Sequence, residues 1–229
     1  MMILIWQGGE PGSMEYGRFY TRLRFWSRIF FRDYQSPPPE ELPAPAVYVC
    51  RHRDLRGPID TLLWLSAPVH PWVYSVFCER KTCYHQYADY TLTKRKGWPR
   101  ILALPVARIL SWLVPRLCAS MGAIPVYRSS ARVVITFRKT LEALKAGMRV
   151  IIYPDVNYAD ASDEMGELYE GYVGLGPLYH RVTGKNLLFI PLRSEHRHIV
   201  LGTAIEYDGS KPREPEFKRV AKAIREALA

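Results

Sequence analysis

His52 is the side chain around which chemistry can be built. It lies in the run Ala-Val-Tyr-Val-Cys-Arg-His-Arg-Asp-Leu-Arg-Gly-Pro-Ile-Asp, residues 46–60. A neutral imidazole, with an unperturbed pKa of about 6.5, suits proton abstraction at neutral pH when a carboxylate fixes its tautomer. Asp54 and Asp60 are both near enough in sequence to be that carboxylate. The alternative is a surface histidine in an arginine-rich loop. Arg128 offers a planar fork suited to a phosphate or carboxylate, or else a surface arginine paired with an acid. Asp155 and Asn157 follow a strand-like run, either lining the same crevice or serving as ordinary turn residues. Cys78, Cys83 and His85 lack a CxxC pair and a matching second half, so no metal site is expected.

The elements that would position these residues follow from the apolar pattern. Val47, Tyr48 and Val49 are β-branched or aromatic and predict a short buried strand. It runs out at Cys50–His52, and Gly57-Pro58 then opens a helix through Leu62, Leu63 and Leu65. His52 therefore sits at the carboxyl end of a strand, where open α/β sheets carry their ligand crevices. Trp72–Phe77 reads as a second strand, with Glu79, Arg80 and Lys81 at its end. Ile101–Ala119 is apolar but interrupted by Pro105, Arg108, Pro115 and Arg116. A membrane span needs about 18–20 uninterrupted residues, so this stretch reads as a buried or interface-facing helix. Ala123–Tyr127 and Arg149–Tyr153 predict strands, with a helix between them from about Arg132 to Ala146 capped by Ser129 or Ser130. Glu164–Thr183 reads as helix, broken near Gly174–Pro177. Leu187–Leu192 and Ile199–Ile205 read as strands, with His196 and His198 in a hairpin-like turn, and Glu216–Ala229 as a final helix. This alternation predicts an α/β fold, a mostly parallel central sheet flanked by helices.

Bulk composition sets the frame. At 229 residues, 48% apolar and 24% charged, the chain is globular and long enough for one substantial domain, expected over 46–229. Residues 35–45 hold five prolines and predict a stiff linker. Residues 1–34 form an N-terminal segment, in which Met1–Trp6 is too short to span a bilayer. Within it, Phe19, Leu23, Trp26 and Phe30 line one helical face. Arg18, Arg22, Arg24, Arg28 and Arg32 share a wide arc opposite, interrupted by Phe25 and Ile29. Such an amphipathic helix belongs either in a membrane interface or packed on its own domain. The net charge of +10 favours an anionic partner. No helix-turn-helix, zinc-finger or RNP signature points to nucleic acid, so an acidic membrane surface or a phosphorylated substrate is favoured. Four irregularly spaced cysteines, with no secretory signal before them, predict reduced thiols and a cytoplasmic location. Asp160, Asp163 and Glu164 fit a helix N-terminus.

The order of the pieces resembles the glycerolipid acyltransferases, the lysophosphatidic acid and glycerol-3-phosphate acyltransferase family, over roughly residues 46–205. Gly122-Ala-Ile-Pro-Val-Tyr-Arg128 is similar to that family's third block. Leu144–Asp155 is similar to the approach to its fourth, and Phe189-Ile-Pro-Leu192 to its last. The resemblance implies transfer of a fatty acyl chain from acyl-CoA or acyl-carrier protein, as co-substrate, to the hydroxyl of a lysophospholipid or glycerol phosphate. It implies no further cofactor, and a protein peripheral on the inner face of the membrane. His52 would be the general base, oriented by Asp54 or Asp60. Arg128 would hold the acceptor's phosphate, with Asp155, Asn157 and Gly57 also at the substrate site. Amides around Arg53–Gly57 would steady the oxyanion. Two departures stand out: the family's Asp five residues after its His falls on Gly57, and its Glu-Gly-Thr-Arg is Asp155-Val-Asn-Tyr158, without the arginine. A non-catalytic lipid- or acyl-binding relative is the alternative these departures suggest.

Overall fold

The computed structural model describes residues 15–128, 130–156 and 166–229. The expectations for Met1–Trp6, Asn157 and the acidic run at Asp160, Asp163 and Glu164 lie outside the described residues. In chain order, helix α1 (Arg18–Phe30) precedes strand β1 (Ala46–Cys50), helix α2 (Arg56–Trp64) and strand β2 (His70–Tyr74). Helix α3 (Arg80–His85) runs into a π-helix over Gln86–Arg95, then come α4 (Arg100–Ser120), β3 (Ile124–Val126), α5 (Ser130–Lys145) and β4 (Arg149–Ile152). The chain closes with α6 (Leu175–Thr183), β5 (Leu187–Glu195), β6 (His198–Leu201), β7 (Ile205–Tyr207) and α7 (Arg213–Leu228). The class is α/β, with mostly parallel mixed sheet flanked by helices. Two compact units emerge: residues up to Leu23 with Pro71–Thr136, and Arg24–His70 with Phe137–Ala229.

The second unit is built on β1. It pairs in parallel with β4 on one side (Val47↔Val150, Val49↔Ile152) and with β5 on the other (Val47↔Phe189, Cys50↔Leu192). All five β1 residues are buried, as expected of a parallel strand covered on both faces. Ala46, Tyr48 and Cys50 join Ile151, Ile190, Leu65 and Val69 in one core layer. By strand alternation, Val47, Val49 and Phe189 face the other way, the side on which Tyr172 meets Phe189.

Several boundaries differ from expectation for physical reasons. Residues 166–170 are not helical: Leu168 bridges Asp155, and the Tyr169 amide donates to the Pro154 carbonyl. Trp72–Phe77 is strand only to Tyr74, and Ser75–Phe77 winds into a 3-10 turn. Ile199–Ile205 divides into β6 and β7, both antiparallel to β5, because the Gly202 amide turns inward to the Pro191 carbonyl. The β5–β6 turn places His196 (φ 46°) and Arg197 (φ 67°) in the left-handed region, as a two-residue I′-type hairpin requires. The proline-rich linker carries a 3-10 turn at Pro39–Glu41, and before it Gln35 bridges His198.

In the first unit β2 and β3 are parallel, Trp72 opposite Ile124 and Tyr74 opposite Val126. α4 buries a stripe of small residues, Ala103, Ala107, Ser111 and Cys118. Ala103 and Ala107 lie in a core cluster with Ala88 and Leu92. α1 begins against the end of α4, where the Gly17 and Tyr20 amides donate to the Ser120 carbonyl and Oγ.

Gly57 opens α2 at a point where no side chain fits. A Cβ there would stand 1.8 Å from the Arg51 carbonyl oxygen. This packing demand accounts for the glycine at the position where the family resemblance expects Asp. Gly57→Ala should therefore cost at least the ~1–3 kcal/mol typical of overpacking, lowering the melting temperature by several degrees. A thermal melt checks it; an unchanged melt would show that the loop gives way freely.

Candidate active site

The segment between β1 and α2 is closed by backbone bonds rather than by glycine. Arg53, Asp54 and Leu55 have φ of 44°, 47° and 74°, a left-handed run that L-residues adopt at about 1–2 kcal/mol each. The Arg56 amide donates to the Arg53 carbonyl, Gly57 to His52, and Ile59 to Leu55. These bonds carry the chain from strand to helix and present His52 on the bend.

Asp155 anchors the bend from outside. Its Oδ2 accepts the His52 backbone N–H at 2.6 Å, across 103 residues of sequence. Its Oδ1 lies 3.8 Å from Arg51 Nε, with the two side chains only 12% (Arg51) and 11% (Asp155) exposed. A hydrogen bond to an ionised acceptor is worth about 1.5–3 kcal/mol, comparable to the cost of one or two left-handed residues. Asp155 follows the end of β4 as His52 follows the end of the neighbouring β1, so parallel pairing alone delivers them to the same edge.

The imidazole has defined neighbours. Its Nδ1 accepts the Leu55 amide at 3.3 Å, so the neutral ring carries its proton on Nε2. Its edge meets Tyr153, centroids 6.0 Å apart and planes at 85°. Tyr153 in turn is held by Thr61: Thr61 Oγ1 donates to the Gly57 carbonyl at 2.6 Å and is 2.7 Å from the Tyr153 hydroxyl, which must then donate. Tyr153, Thr61 and Arg51 were not singled out in the sequence. The one local sign was Thr61 standing four residues after Gly57, the spacing for bonding back to a helical carbonyl.

The remaining candidates divide. Asp54 is exposed on the left-handed run. Asp60 is buried in α2, and its Oδ2 accepts the Ser194 hydroxyl from β5 at 2.5 Å. Burial raises its pKa above the ordinary 3.8, against hydrogen bonds from Ser194 and Tyr34 that pull it down. Cys50, one position before Arg51, has its thiol pushed up to about 12 by burial and by the charges of Asp155 and Asp60, so it is no nucleophile at neutral pH. Arg128 belongs to the first unit, exposed after β3, with its guanidinium 4.5 Å from the Tyr74 ring centroid. Among the described residues no group of three or more potential metal ligands occurs.

No protein-family model matches the chain, and comparisons with curated proteins and with solved structures return no match.

The raised pKa of Asp60 has a measurable consequence. The folded protein holds that proton more tightly than the unfolded chain. The stability this confers is full below about pH 4, the unfolded range, and is lost as pH rises through the folded pKa. Asp60→Asn keeps a partner for Ser194 and cannot titrate. Its melting temperature, relative to the parent, should climb between pH 4 and pH 7; a constant difference would show that Asp60 ionises in the fold without penalty.

Proposed function

We propose that this chain is a glycerolipid-type acyltransferase, moving a fatty acyl group from acyl-CoA or acyl-carrier protein to the hydroxyl of a lysophospholipid or glycerol phosphate. The observation that carries the reading is the hydrogen bond between His52 and Asp155. It joins the turn that resembles the family's first block to the turn that resembles its fourth, at the carboxyl ends of adjacent parallel strands. The left-handed run adds weight, because strain of this kind concentrates where a loop must present a group. His52 would take the acceptor's proton through Nδ1, the basic nitrogen of this tautomer, as the hydroxyl displaces the long Leu55 contact. Apo sites commonly hold such bonds loosely.

A second reading, a lipid- or acyl-binding protein without catalysis, is favoured by one specific feature. Asp155 spends its carboxylate on a backbone amide and on Arg51 rather than on the imidazole, and the Leu55 amide occupies Nδ1. Purified protein with labelled acyl donors and a panel of lysophospholipids and glycerol phosphate separates the two. Under the first, His52→Ala should lower the rate by about 10²–10⁴ with the melt unchanged; full activity in the variant ends it. No turnover on any donor–acceptor pair, with lipid binding retained, establishes the second.

The membrane side of the proposal rests on α1. Phe25, Trp26, Ile29 and Phe30 are 66%, 61%, 62% and 83% exposed. Arg24 and Arg28 turn back instead, donating to the Leu63 carbonyl at 2.8 Å each, and Arg24 also to that of Leu65. They satisfy carbonyls at the end of α2 that have no helical partner. Aromatics turned outward while two arginines turn inward support a place for this helix in a bilayer interface. Trp26→Ser with Phe30→Ser should lower binding to anionic vesicles and leave the melting temperature in place. A lower melt with unchanged vesicle binding would mean that these aromatics stabilise the fold instead.

A further inference from the structure

Within the first unit, α4 has two opposite faces. Its small residues are packed inward, while Ile101, Pro105, Ile109 and Trp112 form a stripe at helical spacing on the outside. Ile101 is 80% exposed and Ile109 64%. The helix is 21 residues long with a most apolar stretch of mean hydropathy 1.6, yet only 22% of that stretch is buried. Length and composition would let it cross a bilayer, but its inner stripe is already committed to the α3–π-helix layer. No Asp or Glu occurs between residues 100 and 120. The charges on the helix are arginines: Arg100, Arg108 and Arg116 are all exposed. The Arg116 guanidinium lies 4.0 Å from the Trp112 ring centroid and donates to the Trp112 carbonyl, a pairing that keeps the charge at the rim of the apolar stripe.

Beside the stripe is a cavity of about 480 Å³ lined by Glu79, Arg80, Lys81, Tyr84, Arg108 and Ser111. Among its described lining residues three cations face one carboxylate, with a phenol at the edge. Arg108 belongs to both features, since Ile109 and Trp112 follow it by one and four positions. We infer that α4 lies flat in the headgroup layer of an anionic phospholipid bilayer, with the Arg80–Lys81–Arg108 cavity receiving the phosphate of one lipid and the Ile101–Trp112 stripe its upper acyl chains. An apolar face rimmed by arginine, bearing Trp at its margin and free of acid, is what the interface selects. A single phospholipid phosphate fits a cavity of this size. The inference goes beyond acyl transfer and beyond α1, and it needs neither to be right.

The test reads vesicle binding in the full chain with α1 intact, so turnover plays no part in it. Vesicles of phosphatidylcholine alone, or with phosphatidylglycerol, are co-sedimented with three proteins: the parent, Ile109→Ser with Trp112→Ser, and Arg80→Ala with Arg108→Ala. The apolar variant should bind both vesicle types more weakly. The charge variant should lose affinity chiefly for the anionic vesicles, about fivefold per arginine removed, as a membrane-surface charge predicts, and more steeply at low salt. All three should melt together, because the altered side chains are exposed. Parental binding by both variants overturns the inference. A lower melt or a changed oligomeric state in the apolar variant also overturns it, by showing that another surface covers the stripe. If glycerol phosphate binds the parent but not the charge variant, while vesicle affinity is equal for both, the cavity serves a soluble phosphate and the lipid assignment fails.

Discussion

One hydrogen bond, from the His52 amide to the Asp155 carboxylate, holds together what would otherwise be two unrelated turns. The bend after β1 contains three residues in a conformation L-amino acids resist, and it has no glycine until Gly57. Something must offset that cost. The charged bond from the turn after the neighbouring strand offsets part of it, while Arg51 balances the carboxylate and the Gly57 amide closes the bend on itself. Remove the carboxylate and His52 has no fixed address; remove the glycine and the helix behind it cannot start where it does.

The arrangement gives a division of labour between the carboxylates. Asp155 acts on the backbone, where its charge stabilises a loop. Asp60 acts inside the sheet-and-helix layer, where burial disfavours its charge and Ser194 supports it. Asp54 is exposed on the bend. Three acids lie near one histidine in the sequence or the fold, and their environments differ in kind. Tyr153, braced by Thr61, gives the imidazole an aromatic wall on one edge.

Much of this fold could be read in advance. Val47–Val49, Arg149–Ile152 and Leu187–Leu192 are β-branched and apolar runs bounded by Pro or charge, and they lie as adjacent, almost fully buried strands. The π-helical stretch and the left-handed bend could not be read. Arg-Asp-Leu carries none of the glycine or asparagine that normally marks positive φ, and one of the bonds that hold the bend comes from Asp155, 103 residues away. The residues after Asp155 misled for a related reason: Leu168 has helical neighbours in sequence but a strand partner in space. Arg24 and Arg28 looked like part of a solvated or lipid-facing arc, whereas the carbonyls of α2 claim them. Periodicity set Phe25 and Ile29 among the arginines of α1, whereas both stand exposed beside Trp26 and Phe30; periodicity is silent on which side of a helix meets another element. At the candidate site, His52 and Asp155 stood out as residue types at strand ends, while Tyr153 and Thr61 did not, because a tyrosine and a threonine in apolar company look like core.

The linker before β1 has a further consequence. β6 pairs with β5 along one side, and its other side would offer unpaired amides and carbonyls to any passing strand. Gln35 occupies that side, donating to Arg197 and accepting from Ile199. Prolines 37, 38 and 39 come directly afterwards, and a residue with no amide hydrogen cannot extend a ladder. The chain therefore places one paired residue at its open border and then stops the pairing chemically. Natural sheets guard themselves against sticking to copies of themselves in just this manner. The proline cluster is accordingly a chemical stop to pairing at this border as well as part of the connector that leads into β1.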